Sequence, residues 1–252
     1  MPTSSSSTTT TTTSPMQGPM TQPTAQQPLT FVEIGDSLGE DLGFGLGDSV
    51  FASDPLVRVI QAAVGDSGLA RPDYYNWPAQ LESLIQKYHP GAVIVFIGGN
   101  DAQSFVQNGQ YVGFGTAIWH RVYSARVAQM MSEALDAGAR VLWVGMPIMQ
   151  DSGFSAEMQA LNSIYQAEAA EHPGATYFSS WPVFSGSNGQ YVASSLIGGQ
   201  EVLLRDPDGV HIASGGGDLL AQDLVSPMEK AWGIQLFPQS SSSTSTSTSL
   251  SG

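Results

Sequence analysis

Ser37 in Gly35-Asp36-Ser37-Leu38 and His211 in the segment RDPDGVHIA are residue types from which acyl transfer can be built. A serine hydroxyl is a weak nucleophile until a base takes its proton, and that base needs a third group to orient it. The chain has four histidines. His89 follows a helix-like run, His120 lies within one and His172 precedes Pro173 at a helix end, so these three read as surface or packing residues. His211 lies in a Pro/Gly turn. With Gly209 between them, Asp208 can reach one imidazole nitrogen while the other faces Ser37. Asp206 is the rival orienter, disfavoured because Pro207 stiffens the segment between. The oxyanion of such a reaction needs donors aimed at it. Candidates are the N–H of Ser37, the backbone of Gly68 and the side-chain amide of Asn100 in GGND.

Other residues qualify by type alone. Arg71, Tyr74, Tyr75 and Trp77 crowd the loop after Gly68, where an arginine could hold a carboxylate or acyl oxygen and aromatic rings could stack on sugar faces. The competing reading pairs Arg71 with Asp73 and packs the rings under the loop. Met146 and Met149 either line a pocket or pack. Asp36 and Asp101 beside the site read as turn acids that accept backbone N–H groups. They make no metal site without a histidine or third carboxylate at ligand spacing. Zero cysteines exclude disulfides and thiolate chemistry, and no cofactor is expected. Gly35 to Gly39 also matches GxSxG literally. That elbow draws an oxyanion donor from an earlier strand, and almost everything before Leu29 is low in complexity.

These residues must be positioned by a scaffold. Apolar, β-favouring runs predict strands at Leu29–Ile34, Leu56–Val64, Ala92–Ile97, Arg140–Val144 and Ala175–Phe178. Helical spacing predicts helices over WPAQLESLIQKY, Ala117–Ala137, Ser155–Glu171 and Gly217–Ala231. Alternation of the two predicts βαβ units, a mostly parallel sheet and helices on both faces. Ligands of such sheets bind beyond the carboxyl ends of the strands, where GDSLG, GDSGL, GGND and MPIMQD all fall. Ser185 to Arg205, with four glycines, reads as a hairpin or a loop over the site. Trp119, Trp143 and Trp232 read as core.

The two ends differ in composition from this body. Residues 1–29 are mostly Ser, Thr, Pro and Gln, and residues 239–252 almost wholly Ser and Thr, so both read as disordered tails flanking one domain at 30–238. A formal net charge of -14, from eight Lys and Arg against 22 Asp and Glu, argues against nucleic acid and anionic membranes as partners. No run is long and apolar enough to predict a membrane span, and the N-terminus lacks the pattern of a signal peptide. Ser/Thr/Pro tails resemble exported bacterial linkers. They point to a periplasmic or secreted protein whose signal sequence was removed ahead of Met1.

Taken in order, GDSL, a glycine after the second strand, GGND after the third and DxxH near the end resemble the four blocks of the SGNH, or GDSL-type, hydrolases. The resemblance implies a three-layer α/β/α, flavodoxin-like fold with a five-stranded sheet. It implies Ser37 as nucleophile, His211 as base, Asp208 as its orienting acid, and Ser37 N–H, Gly68 and Asn100 as oxyanion donors. IGDSLGEDLGFGL, GLARPDYYNWP and VGMPIMQD are most similar to a bacterial exported branch described as a domain of unknown function, DUF459. That branch is related in kind to domains that move acyl groups on and off cell-surface polysaccharides such as cellulose. The expectation is an esterase or O-acyltransferase acting on a small ester or acylated carbohydrate, with a polysaccharide-synthesis complex as a partner. The alternatives are a catalytically weak carbohydrate-binding or assembly module, and a lipid esterase or thioesterase.

Overall fold

The structure, a computed structural model, describes residues 18–237. Of the expected tails at 1–29 and 239–252, residues 1–17 and 239–252 lie outside the described residues, as does Pro238.

In chain order the elements are β1 (Leu29–Gly35), α1 (Ser37–Phe44), a π-helical turn (Gly45–Val50), β2 (Val57–Gln61) and α2 (Trp77–Tyr88). There follow β3 (Ala92–Phe96), a small hairpin of β4 (Phe105–Gln107) and β5 (Gln110–Val112), α3 (Ala117–Asp136) and β6 (Arg140–Gly145). The chain continues through α4 (Ser152–Glu171), β7 (Ala175–Ser179), a second hairpin of β8 (Ser194–Ile197) and β9 (Gln200–Leu203), and α5 (Ser214–Trp232).

Five strands form one sheet in the order β2-β1-β3-β6-β7, with every neighbouring pair parallel. The central strands β3 and β6 are buried along their whole length, as expected of strands covered on both faces. Helices α2, α3 and α4 pack on one face and α1 and α5 on the other. This is the α/β/α architecture that the alternating pattern predicts. The stretch from 185 to 205 resolves into the hairpin reading, with β8 and β9 antiparallel.

Helix starts show how local chemistry sets the frame. Asn76 accepts from Ala79 N and Thr116 from Trp119 N, capping α2 and α3 where expected. Asp151 accepts from Phe154 N at 2.7 Å, so α4 begins at Ser152, three residues ahead of the expected Ser155. Helix α5 likewise begins at Ser214 rather than Gly217. Its first turn, SGGG, has poor helix propensity but is packed too closely for side chains: a Cβ on Gly217 would lie 2.6 Å from the Asp41 carbonyl of α1.

Composition assigns residues 18–28 to a disordered tail, and here the structure differs. Met20 N donates to Trp232 O at 3.4 Å, Gln22 Nε2 to Gly233 O at 2.8 Å, and Gln235 N to Gln22 Oε1 at 3.0 Å. The segment is held by backbone partners at the end of α5, which its own polar composition does not advertise.

Candidate active site

Ser37 is the first residue of α1, just beyond β1. The buried Asp36 caps that helix, its Oδ1 accepting from Leu38 N at 3.0 Å. Its Oδ2 accepts from Gly98 N at 2.8 Å and Gly99 N at 2.7 Å, tying the turn after β1 to the turn after β3. Burial lifts the Asp36 carboxyl to about 6, against the lowering effect of these N–H donors.

His211 reaches this turn from just ahead of α5. Its Nε2 lies 3.0 Å from Ser37 Oγ and its Nδ1 lies 2.6 Å from Asp208 Oδ2. Asp208 Oδ1 accepts from Val210 N at 2.9 Å and His211 N at 3.0 Å, which fixes the carboxylate in the turn. Gly209 makes that turn possible with φ 72°, a left-handed conformation costly for any side chain. The bond to Asp208 raises the His211 pKa above its ordinary value, and the same bond draws the Asp208 carboxyl down to about 2. Asp206, the rival orienter, instead closes the turn through its backbone: its N–H donates to His211 O at 2.9 Å.

Gly68 and Asn100, the other expected oxyanion donors, lie in the loops after β2 and β3. Asn100 Nδ2 donates to Ser67 O at 3.0 Å, which orients the amide and leaves its second N–H free of that bond. Gly68 is a glycine because Asp101 crowds it: a Cβ there would collide with Asp101 Oδ1. Asp101 is fully buried and accepts from Leu69 N at 3.0 Å, Ala70 N at 2.7 Å and Tyr123 Oη at 2.6 Å. Burial raises its pKa. Asp36 and Asp101 are thus scaffolding acids that shape the two loops, and among the described residues no group of acids and histidines could hold a metal ion.

Gly68 and Asn100 line a cavity of about 250 Å³ together with Asp66, Arg71, Tyr74 and Gln103. A larger groove of about 710 Å³ between α2 and α3 shares Gly68 but none of Ser37, Asn100 or His211. The smaller cavity is the one that holds both of these expected oxyanion donors, and neither Ser37 nor His211 lines it.

Of the residues expected to touch substrate, Arg71 and the exposed Tyr74 line that cavity. Arg71 also pairs with Asp73 at 2.8 Å on the surface. Tyr75 packs edge-on against Trp77 and faces the larger groove. Two expectations are corrected. Trp77 is buried, donating from Nε1 to Ser67 Oγ at 3.1 Å, so it braces the loop that orients Asn100. Met146 is fully buried in the core, with its backbone N–H on Asn162 Oδ1 at 2.7 Å. Trp119, Trp143 and Trp232 are core.

Sequence reasoning passed over Asp41, one helical turn beyond Ser37. It accepts from Ile212 N at 2.9 Å and so latches α1 to the residue after His211. Its i, i+4 spacing from Ser37 was the available signal.

The family described as "Protein of unknown function (DUF459)" matches residues 30–227. No curated protein matches the sequence. Among solved structures, TesA is 19% identical with a TM-score of 0.54, covering 80% of this chain and 99% of its own. A GDSL-like lipase from Bacteroides thetaiotaomicron is 16% identical with a TM-score of 0.59, covering 84% and 93%. A catalytic mutant of Axe2, an acetylxylan esterase from Geobacillus stearothermophilus, is 13% identical with a TM-score of 0.55, covering 84% and 97%. At such identities the likeness is one of fold.

Proposed function

The chain belongs to the DUF459 family, and from that membership, the GDSL-type fold and the geometry above we propose that it is a serine esterase or O-acyltransferase. The observation that carries the reading is the unbroken line from Ser37 Oγ through His211 to Asp208, at 3.0 and 2.6 Å. His211 Nε2 takes the Ser37 proton as Oγ attacks an ester carbonyl. The oxyanion is met by the N–H groups of Ser37 and Gly68 and the amide of Asn100. His211 returns the proton to the leaving alkoxide, and an acyl-serine remains. Water completes hydrolysis, whereas a sugar hydroxyl completes transfer, with the same residues serving both.

The substrate we favour is an acyl ester of carbohydrate, most simply an acetyl ester. The cavity beside the oxyanion donors is small and its lining side chains are mostly polar, Asp66, Arg71, Asn100 and Gln103, with Tyr74 as an exposed aromatic face. At about 250 Å³ the cavity suits a short acyl group better than a long chain, which argues against a lipid esterase or thioesterase. Ser/Thr/Pro-rich ends fit an exported protein acting on polysaccharide outside the cytoplasm.

A fluorophosphonate probe and a small acetyl ester test the reading. Labelling is expected at Ser37, Ser37→Ala and His211→Ala should nearly abolish turnover, and Asn100→Ala should lower kcat by roughly 10²- to 10³-fold. Undiminished turnover in Ser37→Ala would sink it. Polysaccharide binding without labelling would favour a non-catalytic binding module.

A further inference from the structure

Arg205 is fully buried, yet among the described residues no carboxylate lies within ion-pairing distance of it. In a chain with so few cations, a guanidinium taken out of water and left without an acid calls for a cause. Removing a charge from water is costly unless every donor finds a partner. Here the partners are carbonyl oxygens. Nη1 donates to Ile148 O at 2.5 Å and Nε to His211 O at 3.2 Å. Nη2 donates to Val210 O and, more weakly, to Gly209 O at 3.5 Å, and touches Met149 Sδ at 3.2 Å. Phe184 and Tyr191 lie against the guanidinium at 5.1 and 5.4 Å. Burial draws its pKa down to about 10, which leaves it charged at neutral pH.

Two of these carbonyls belong to the peptides whose N–H groups hold Asp208. In a trans peptide, C=O and N–H point in opposite directions. The 209–210 peptide turns its oxygen to Arg205 and its N–H to Asp208 Oδ1, and the 210–211 peptide does the same. The 210–211 plane is clamped between the buried cation on one side and the carboxylate on the other, and the 209–210 oxygen is held chiefly by Gln150 N at 3.1 Å with Arg205 as a weaker second donor. Ile148 O anchors the same cation to the loop after β6. We infer that Arg205 is the positioning residue of the Asp208–His211 arm, setting the peptide planes that aim Asp208 at His211 and His211 at Ser37. The inference rests on the serine-hydrolase reading.

The test compares Arg205→Lys and Arg205→Met with the wild-type protein by fluorophosphonate active-site titration. The rate of labelling is then measured per titratable site across pH. A loss that is only structural lowers the titratable fraction and leaves the per-site rate unchanged. Positioning predicts a per-site rate down by roughly 100-fold in Arg205→Met, the scale expected when a reacting group is misplaced by about an ångström. Arg205→Lys, which keeps the charge but not the fork, should recover part of it. The acidic limb of the rate should also move to lower pH, because Asp208 no longer supports the imidazole. If both variants fold too poorly to titrate, Phe184→Leu loosens the guanidinium without touching the loop and should slow the per-site rate. An unchanged per-site rate and limb in the variants that fold overturns the inference. Failure of the wild-type protein to label overturns the hydrolase reading instead.

Discussion

The proton that Ser37 would give up has His211 Nε2 within hydrogen-bond reach, and the basicity of that nitrogen is set from the far side of the ring. Asp208 raises the His211 pKa by bonding Nδ1. A general base works only when neutral, so turnover should fall as pH drops through this raised value. Replacing Asp208→Asn removes the charge, and the acidic limb of kcat/KM should move to lower pH while kcat falls at every pH. A pH–rate profile on a small acetyl ester reads both effects, and a limb that stays in place would contradict the assignment of Asp208 over Asp206. The same scale shows what a sequence can hide. Ser37, His211 and Asp208 announce themselves by residue type and spacing. Arg205 does not, because its partners are backbone carbonyls, which carry no signature in the sequence.

Helix α1 carries Ser37, the proposed nucleophile, and it rests on an acid. Glu33 of β1 is fully buried, its carboxyl packed beneath Gly39 and Gly43, where added Cβ atoms would lie 3.0 and 2.9 Å from its oxygens. Neither oxygen makes a well-formed hydrogen bond among the described residues, although the Ala62 and Ala63 amides lie near. Burial pushes its pKa well above the usual carboxylate range. Glu33→Gln keeps the shape and removes the titration, so it should stabilise the protein at pH 8 and change little at pH 5. Urea unfolding at the two pH values measures this, and equal effects at both would contradict it. The elements themselves were largely legible. Strands such as AVIVF are apolar throughout because both faces are covered. What escaped depends on neighbours distant in the chain. The glycines of α5 look like a break until α1 is laid against them, and Trp77 looks like a loop aromatic until Ser67 is seen to need its N–H.

The whole molecule gathers several acids that burial makes reluctant to ionise, Asp36 and Asp41 at about 6 and Glu33 and Asp101 also raised. In the unfolded chain these groups ionise nearer 4. For Asp36 and Asp41 the folded state therefore binds more protons between about pH 4 and 6, for Glu33 above that window as well, and the stability these acids confer is lost as pH rises. The raised His211 acts in the same direction, and a net charge of -14 at pH 7 adds self-repulsion. Calorimetry should give a higher Tm at pH 5 than at pH 8, and the reverse order would refute this account. Stability and turnover then respond oppositely to pH, since the base must be neutral to act. The stitching of residues 20–22 to the end of α5 has a further consequence. Arg140, at the start of β6, also donates to Gly18 O, so both ends of the described chain meet at the sheet edge opposite Ser37. The described chain thus leaves the fold at both ends on the side away from Ser37.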